Sequence, residues 1–406
     1  MLRAPFKASE SVMCAFVLPY VPSERLGFDP HRLDRLTDAM QRQIDEGKAP
    51  GLSMLIARHG KIAYRQSLGE LRPGGPAMSD DAIFRIYSMT KPMVSVAAMM
   101  LVEEGRLSVL DPVSNYIPAF ADVKVGVPTG DRLDLQPLAR PITVQDLMRH
   151  TSGLTYGFTG VTPVQKLIKA ANVLSADRTT AENVEAMAAL PLMHQPGTAW
   201  EYSVSTDVLG RIVEIVEGAR LSDVLRAHIF GPLGMTDTAF FTPHAKLARR
   251  ADPFSFEVMI AAGADSVNID SPPKFESGGG GLVSTLADYT RFTAMLANGG
   301  AFAGARLLSP RTIAYMASDH LDAKVNRNHA LLWPGHGFGL GVAVRVRDGL
   351  APSAGSVGEY FWGGMMGTTF WISPRDDLFA ILMVQSPEYR EYFRVVFRNL
   401  VTAALL

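Results

Sequence analysis

Tyr87-Ser88-Met89-Thr90-Lys91-Pro92 runs directly into the apolar segment Met93 to Leu101. Proline is tolerated in a helix within the first turn, where its missing N–H has no partner to lose, so Pro92 marks a helix start and Ser88 stands at it. Unpaired backbone N–H groups and the positive end of the helix dipole gather there, which favours a developing oxyanion. A separation of three residues places Lys91 on the same face as Ser88. A serine hydroxyl is almost wholly protonated at neutral pH, and a lysine drawn out of water beside it can take that proton. Taken alone, Ser-x-x-Lys is a weak signal: a capping serine and a solvated lysine read the same way. The chain even repeats the spacing at Ser271-Pro272-Pro273-Lys274, where two prolines rule out a helix.

On either side of this segment the pattern changes character. Apolar residues at helical spacing (Leu33, Leu36, Met40, Ile44) predict a helix within residues 28–47, and residues 51–69 read as two β-runs around His59-Gly60. From Ser88 to about Ala297 the chain is Ala- and Leu-rich and helical, broken by Pro/Gly stretches at residues 118–141 and 271–281. β signals return at residues 338–346, 368–372 and 378–384, the last two joined by the turn Pro374-Arg375-Asp376-Asp377, and residues 388–405 read as a closing helix. The expected fold is α/β of the α+β kind: an antiparallel sheet flanked by helices and built from both chain ends, with a mostly helical domain inserted. Residues 26–87 and 298–406 are expected to form the sheet domain and residues 88–297 the helical one, with the site in the cleft between them; residues 1–25 form an N-terminal extension.

The composition excludes several function classes. A chain of 406 residues with 47% apolar and 19% charged side chains is globular, and a formal net charge of -1 supplies no field to recruit nucleic acid or an anionic membrane. One cysteine, Cys14, excludes an internal disulfide and a cysteine-rich metal site, and the nine histidines show no ligand spacing. Neither a metal nor another cofactor is expected, and the expected partner is a small, weakly charged molecule. Residues 12–21 are the one stretch resembling a signal core; it is short and lacks a small-residue cleavage site, so the expected location is cytoplasmic.

Four further segments, in order, give Ser88 and Lys91 a context. They are His150-Thr151-Ser152-Gly153-Leu154, Gly197-Thr198-Ala199-Trp200-Glu201-Tyr202-Ser203, the glycine-rich run from Gly278 to Gly281 leading to Asp288, and Trp362-Gly363-Gly364. Together they resemble the superfamily of serine β-lactamases, penicillin-binding proteins and carboxylesterases, over roughly residues 30 to 400. The resemblance implies that Ser88 is the acylated nucleophile, that Lys91 and Tyr202 share the proton transfers, either being the base, and that the backbone N–H groups of Ser88 and Met365 form the oxyanion hole. It places Trp362, Gly363, Gly364 and Val204 at the substrate.

The departures from the β-lactamase pattern point to one branch. Trp362 stands where β-lactamases carry the lysine of Lys-Thr-Gly, and Val204 stands where class C enzymes carry the asparagine of Tyr-x-Asn. Tyr-Ser with Trp-Gly-Gly resembles the family VIII carboxylesterases. The expected activity is hydrolysis of small neutral esters, short-chain or aryl, through an acyl-enzyme on Ser88. A β-lactamase or acyltransferase with the same chemistry is the alternative, and a non-catalytic binding protein that keeps the fold is the third reading. Ala354-Gly355-Ser356-Val357-Gly358 approaches the G-x-S-x-G elbow but lacks its first glycine and a strand-to-helix setting. His150 reads as a structural histidine, and Gly278 to Gly281, without a following Lys-Ser/Thr, as glycines needed for close packing.

Overall fold

The computed structural model describes residues 18–129, 132–261 and 269–406. Cys14 and most of residues 12–21 lie outside them. The first helix, α1 (Pro30–Asp45), starts where the sequence asks: Asp29 accepts from the His31 N–H, and Pro30 occupies the first helical position. Strands β1 (Gly51–Arg58) and β2 (Lys61–Gly69) follow as a hairpin. His59 (φ 53°) and Gly60 (φ 66°) both adopt the left-handed conformation that a two-residue hairpin turn requires.

After the short β3 (Ile83–Arg85) comes α2 (Thr90–Glu103), buried along most of its length. Helix α3 (Ser205–Glu217) packs against it. Strand β4 (Val283–Thr285) returns to pair antiparallel with β3, and α4 (Leu286–Ala297) then lies on the large sheet. The chain closes with β5 (His336–Phe338), β6 (Ala343–Arg345), β7 (Tyr360–Gly363), β8 (Gly367–Ser373), β9 (Leu378–Gln385) and the helix α5 (Arg390–Ala404).

The seven strands of the main sheet run in the order β2-β1-β9-β8-β7-β6-β5, and every neighbouring pair is antiparallel. Strand β9, the third in that order, shows why the sheet is buried on both sides. Leu378, Ala380, Leu382 and Val384 join the core beneath α1 and α5, while the alternating Phe379, Ile381 and Met383 join the core on the opposite face. The unbroken apolar run from Leu378 to Val384 is therefore the expected pattern here. Phe393 and Phe397 of α5 are fully buried against the first face, each worth about 1.5–3 kcal/mol of apolar burial.

Two local expectations are corrected. Residues 338–346 do not form one strand, because the chain turns between β5 and β6: Gly341 is left-handed (φ 92°), its N–H donates to the Met148 carbonyl at 3.0 Å, and a Cβ on it would strike Ser95. Within the Pro/Gly stretch 118–141, residues 125–129 and 132–136 form an antiparallel hairpin. Among the described residues no helix is long and apolar enough to cross a membrane.

Candidate active site

Ser88 occupies a single 3-10 turn, Tyr87–Met89, between β3 and α2. Tyr87 is left-handed (φ 42°), an uncommon conformation for a bulky residue that is held here by its surroundings. The Ile86 N–H donates to the Leu282 carbonyl at 3.1 Å, and the Gln385 side-chain amide donates to the Arg85 carbonyl at 3.1 Å. From the other side Gly364 presses on the Ile86 carbonyl, and a Cβ at Gly364 would overlap that oxygen. The second glycine of Trp-Gly-Gly is thus a close-approach position that fixes the turn carrying Ser88.

Lys91 lies in the first turn of α2 and is fully buried. Its ammonium has three partners for its three protons: Gly279 O at 2.6 Å, Tyr156 OH at 3.1 Å and Ser88 Oγ at 3.2 Å. The carbonyl can only accept, so of these three contacts the two hydroxyls are the ones able to exchange a proton with Lys91. Burial, reinforced by Tyr202 and Asp207, pushes the Tyr156 phenol well above its ordinary value, and Tyr156 is therefore un-ionised at neutral pH. Tyr202 presents its ring to Lys91, with Nζ 4.5 Å from the ring centroid, and its hydroxyl accepts from Trp362 Nε1 at 3.3 Å. Tyr156 and Trp362 flank it, with ring centroids 5.5 and 5.3 Å away.

Asp207 supports this arrangement from α3. Its Oδ1 accepts from the Gly279 N–H at 3.0 Å and from Ser277 Oγ at 2.6 Å, so it positions the carbonyl that holds Lys91. Burial pushes the Asp207 carboxyl above its ordinary range, against those two hydrogen bonds and the nearby Lys91 charge. The glycine run owes its composition to this packing: a Cβ on Gly279 would come to 2.5 Å from Asp207 Oδ2, and one on Gly281 to 2.8 Å from the Phe240 ring.

His150 is fully buried, left-handed (φ 57°), and joined to Ser203 Oγ at 3.2 Å. Burial, reinforced by Lys91, holds its imidazole well below the ordinary value, so it is uncharged; its ring packs 4.8 Å from that of Tyr202. Ser356 lies outside the named helices and strands, with its N–H donating to Glu359 Oε1, and Lys274 of the decoy is exposed.

A cavity of about 200 Å³ opens at Ser88. Of the residues singled out in the sequence, Ser88, Tyr202, Trp362, Gly363, Gly364 and Met365 line it, and Lys91 sits behind Ser88. Val204 does not. It precedes α3 with 1% exposure and packs into the main core, so its side chain meets neighbouring apolar groups and not the cavity. Tyr156, Phe158, Phe240 and Phe275 also line it, and Arg390, Arg394 and Arg398 reach it from α5. Sequence reading missed Tyr156, Asp207 and the arginines. Tyr156 and Asp207 follow quoted motifs by two and four residues, a proximity that could have flagged them; the arginines carry no local signal.

Comparison with known proteins agrees with this architecture. The family described as Beta-lactamase matches residues 36–404. Protein Rv1367c of Mycobacterium tuberculosis is 34% identical over 87% of this chain and 90% of its own length, and Esterase EstB of Burkholderia gladioli is 29% identical over the same shares, 87% and 90%. Among solved structures, EstCE1, described as a hydrolase with promiscuous acyltransferase activity, superposes with a TM-score of 0.76 at 26% identity, covering 91% of this chain and 98% of its own. With a match running through nearly the whole chain and the Ser-x-x-Lys pair hydrogen-bonded at the mouth of its cavity, the protein belongs to the beta-lactamase family of serine hydrolases.

Proposed function

We propose that this protein is a serine carboxylesterase that takes the acyl group of an ester onto Ser88 and releases it to water. The observation that carries this reading is the 3.2 Å hydrogen bond between Lys91 Nζ and Ser88 Oγ beside an aromatic-walled cavity. Ser88 Oγ attacks the ester carbonyl carbon while its proton passes to the Lys91–Tyr202 pair, and the backbone N–H groups of Ser88 and Met365 receive the oxyanion. Losing one such donor costs about 100- to 1000-fold in turnover in other enzymes. Collapse of the tetrahedral intermediate expels the alcohol, which takes the proton back. Water then repeats the sequence on the acyl-enzyme, with the same pair as base.

The aromatic wall of Tyr156, Phe158, Phe240 and Phe275 suits an uncharged acyl chain. The expectation of wholly neutral esters rested on the lysine missing at Trp362 and the asparagine missing at Val204. The arginines of α5 put cations at the cavity all the same, so neutrality is proposed for the acyl half alone. A second reading, transfer of the acyl group to an alcohol in place of water, is supported by the likeness to EstCE1, a hydrolase with promiscuous acyltransferase activity.

The test sets p-nitrophenyl butyrate beside nitrocefin under one set of conditions. Trp362 fills the strand edge, and no asparagine or glutamine lines the cavity among the described residues, so nothing there supplies the amide that a β-lactam side chain would need. The ester should therefore have the larger kcat/KM. Faster turnover of nitrocefin would replace the esterase reading with a β-lactamase one.

A further inference from the structure

Between the helix Pro310–Met316 and strand β5 an irregular segment supplies two residues of the cavity lining, Leu331 and Trp333. At its middle this segment is tied to the stretch that carries Tyr202: the Trp200 N–H donates to the Asn326 carbonyl and the Asn326 N–H to the Thr198 carbonyl, each at 2.9 Å. At its end the His336 N–H donates to the Trp333 carbonyl at 3.2 Å, and the Trp333 ring lies 5.9 Å from that of Phe361. Leu331 falls between these ties. Its backbone N–H donates to a side chain, Nδ1 of His329, at 3.1 Å.

That hydrogen bond settles the proton on His329. A backbone N–H can only donate, so Nδ1 accepts through its lone pair and the neutral ring carries its proton on Nε2. Nε2 faces the buried Glu201, 3.9 Å from Oε2 and beyond hydrogen-bond distance. His194 Nε2 approaches the same oxygen at 3.8 Å, while Thr155 Oγ1 donates to Oε1 at 2.5 Å. The His329 ring also meets that of Trp200 edge to face, with centroids 5.0 Å apart. Of the remaining titratable groups around it, His150 is uncharged and Arg327 is paired with Asp319 at 3.0 Å. Burial holds His329 below the ordinary histidine value, against the pull of Glu201 and with His194 adding to it, so the ring is neutral at neutral pH.

We propose that His329 is a positioning residue for the cavity: unprotonated, it latches Leu331 into the lining, and protonated, it releases Leu331 and turns to Glu201. The latch serves whatever the cavity binds, so it stands apart from the esterase reading. A proton on Nδ1 would face the Leu331 N–H, two donors with no acceptor between them, and the bond cannot survive it. The cation then has a carboxylate beside Nε2, and rotation of the ring closes the gap to a charge-assisted hydrogen bond. Because the released state is the one that binds the proton, the latch is complete above the titration of His329 and opens as pH falls through it. Leu331 contacts the ligand and does no chemistry, so opening should be read in KM and not in kcat.

The experiment follows hydrolysis of p-nitrophenyl butyrate from about pH 8 to about pH 5, the interval in which histidine titrates, by the wild-type protein, His329→Asn and His329→Leu. Asparagine places an acceptor oxygen the same number of bonds from Cα as Nδ1, and no proton occupies it; leucine offers no acceptor. One net hydrogen bond corresponds to about three- to tenfold, so KM of the wild type should rise by that factor on acidification. The rise should be absent in His329→Asn, and in His329→Leu KM should be raised throughout. The Lys91–Tyr202 pair is common to all three proteins, so its own titration drops out of the comparison. Exchange of the Leu331 amide hydrogen, measured on the same proteins without substrate, should lose its protection on acidification in the wild type, keep it in His329→Asn and lack it in His329→Leu. An acid rise of KM that His329→Asn shares with the wild type, or Leu331 protection that is independent of pH in the wild type, would overturn the latch. If p-nitrophenyl butyrate is not hydrolysed by any of the three, the esterase reading falls and Leu331 exchange alone decides the latch.

Discussion

Replacing Ser88 by alanine should lower kcat for p-nitrophenyl butyrate by several orders of magnitude, on the order of 10⁴-fold or more, with no loss of fold. The magnitude follows from chemistry, because no covalent intermediate can form without Oγ. Stability should hold because Ser88 Oγ is one of three acceptors for Lys91, and Tyr156 OH and Gly279 O keep the ammonium satisfied. Turnover and thermal unfolding measured on the same preparation check both halves. Activity within tenfold of the wild type would place the nucleophile elsewhere.

Loss of Lys91 should be nearly as severe, and Lys91→Met is the informative variant because it keeps the volume of a fully buried side chain while removing the charge. Lys91→Met and Tyr202→Phe are each expected to cost about 10²- to 10⁴-fold in kcat, the range for positioned acid–base groups. The double variant should be little worse than the poorer single one, because members of one proton relay act together and their effects do not add. Single-turnover rates in the three variants measure this. Fully multiplicative losses would mean that Lys91 and Tyr202 act independently. The same series should include Tyr156→Phe, since Tyr156 is the tyrosine hydrogen-bonded to Lys91; a loss larger than that of Tyr202→Phe would transfer the relay to Tyr156.

How far the sequence reached depended on whether a feature was local. The hairpin at His59-Gly60, the turn at residues 374–377 and the proline-marked start of α2 are written in neighbouring residues, and all three stand where expected. The Ser88–Lys91 pair was legible for the same reason, being one helical turn. What escaped was set by distant contacts. Residues 338–346 alternate like a strand, yet Gly341 turns because Met148 and Ser95 lie against it. Val204 was assigned to the substrate by its motif position, and the start of α3 buries it in the core instead. The absence of a lysine at Trp362 suggested a cavity without cations, but Arg394 and Arg398 enter it from more than thirty residues further along the chain.

The most direct test of the central claim, that Ser88 is the acylated residue, is to treat the protein with a fluorophosphonate and locate the adduct by peptide mass spectrometry. A nucleophile activated by Lys91 should carry the phosphonyl group on Ser88 alone, with labelling abolished in Ser88→Ala and slowed in Lys91→Met. Modification of Ser356, or of any other serine in place of Ser88, would contradict the mechanism.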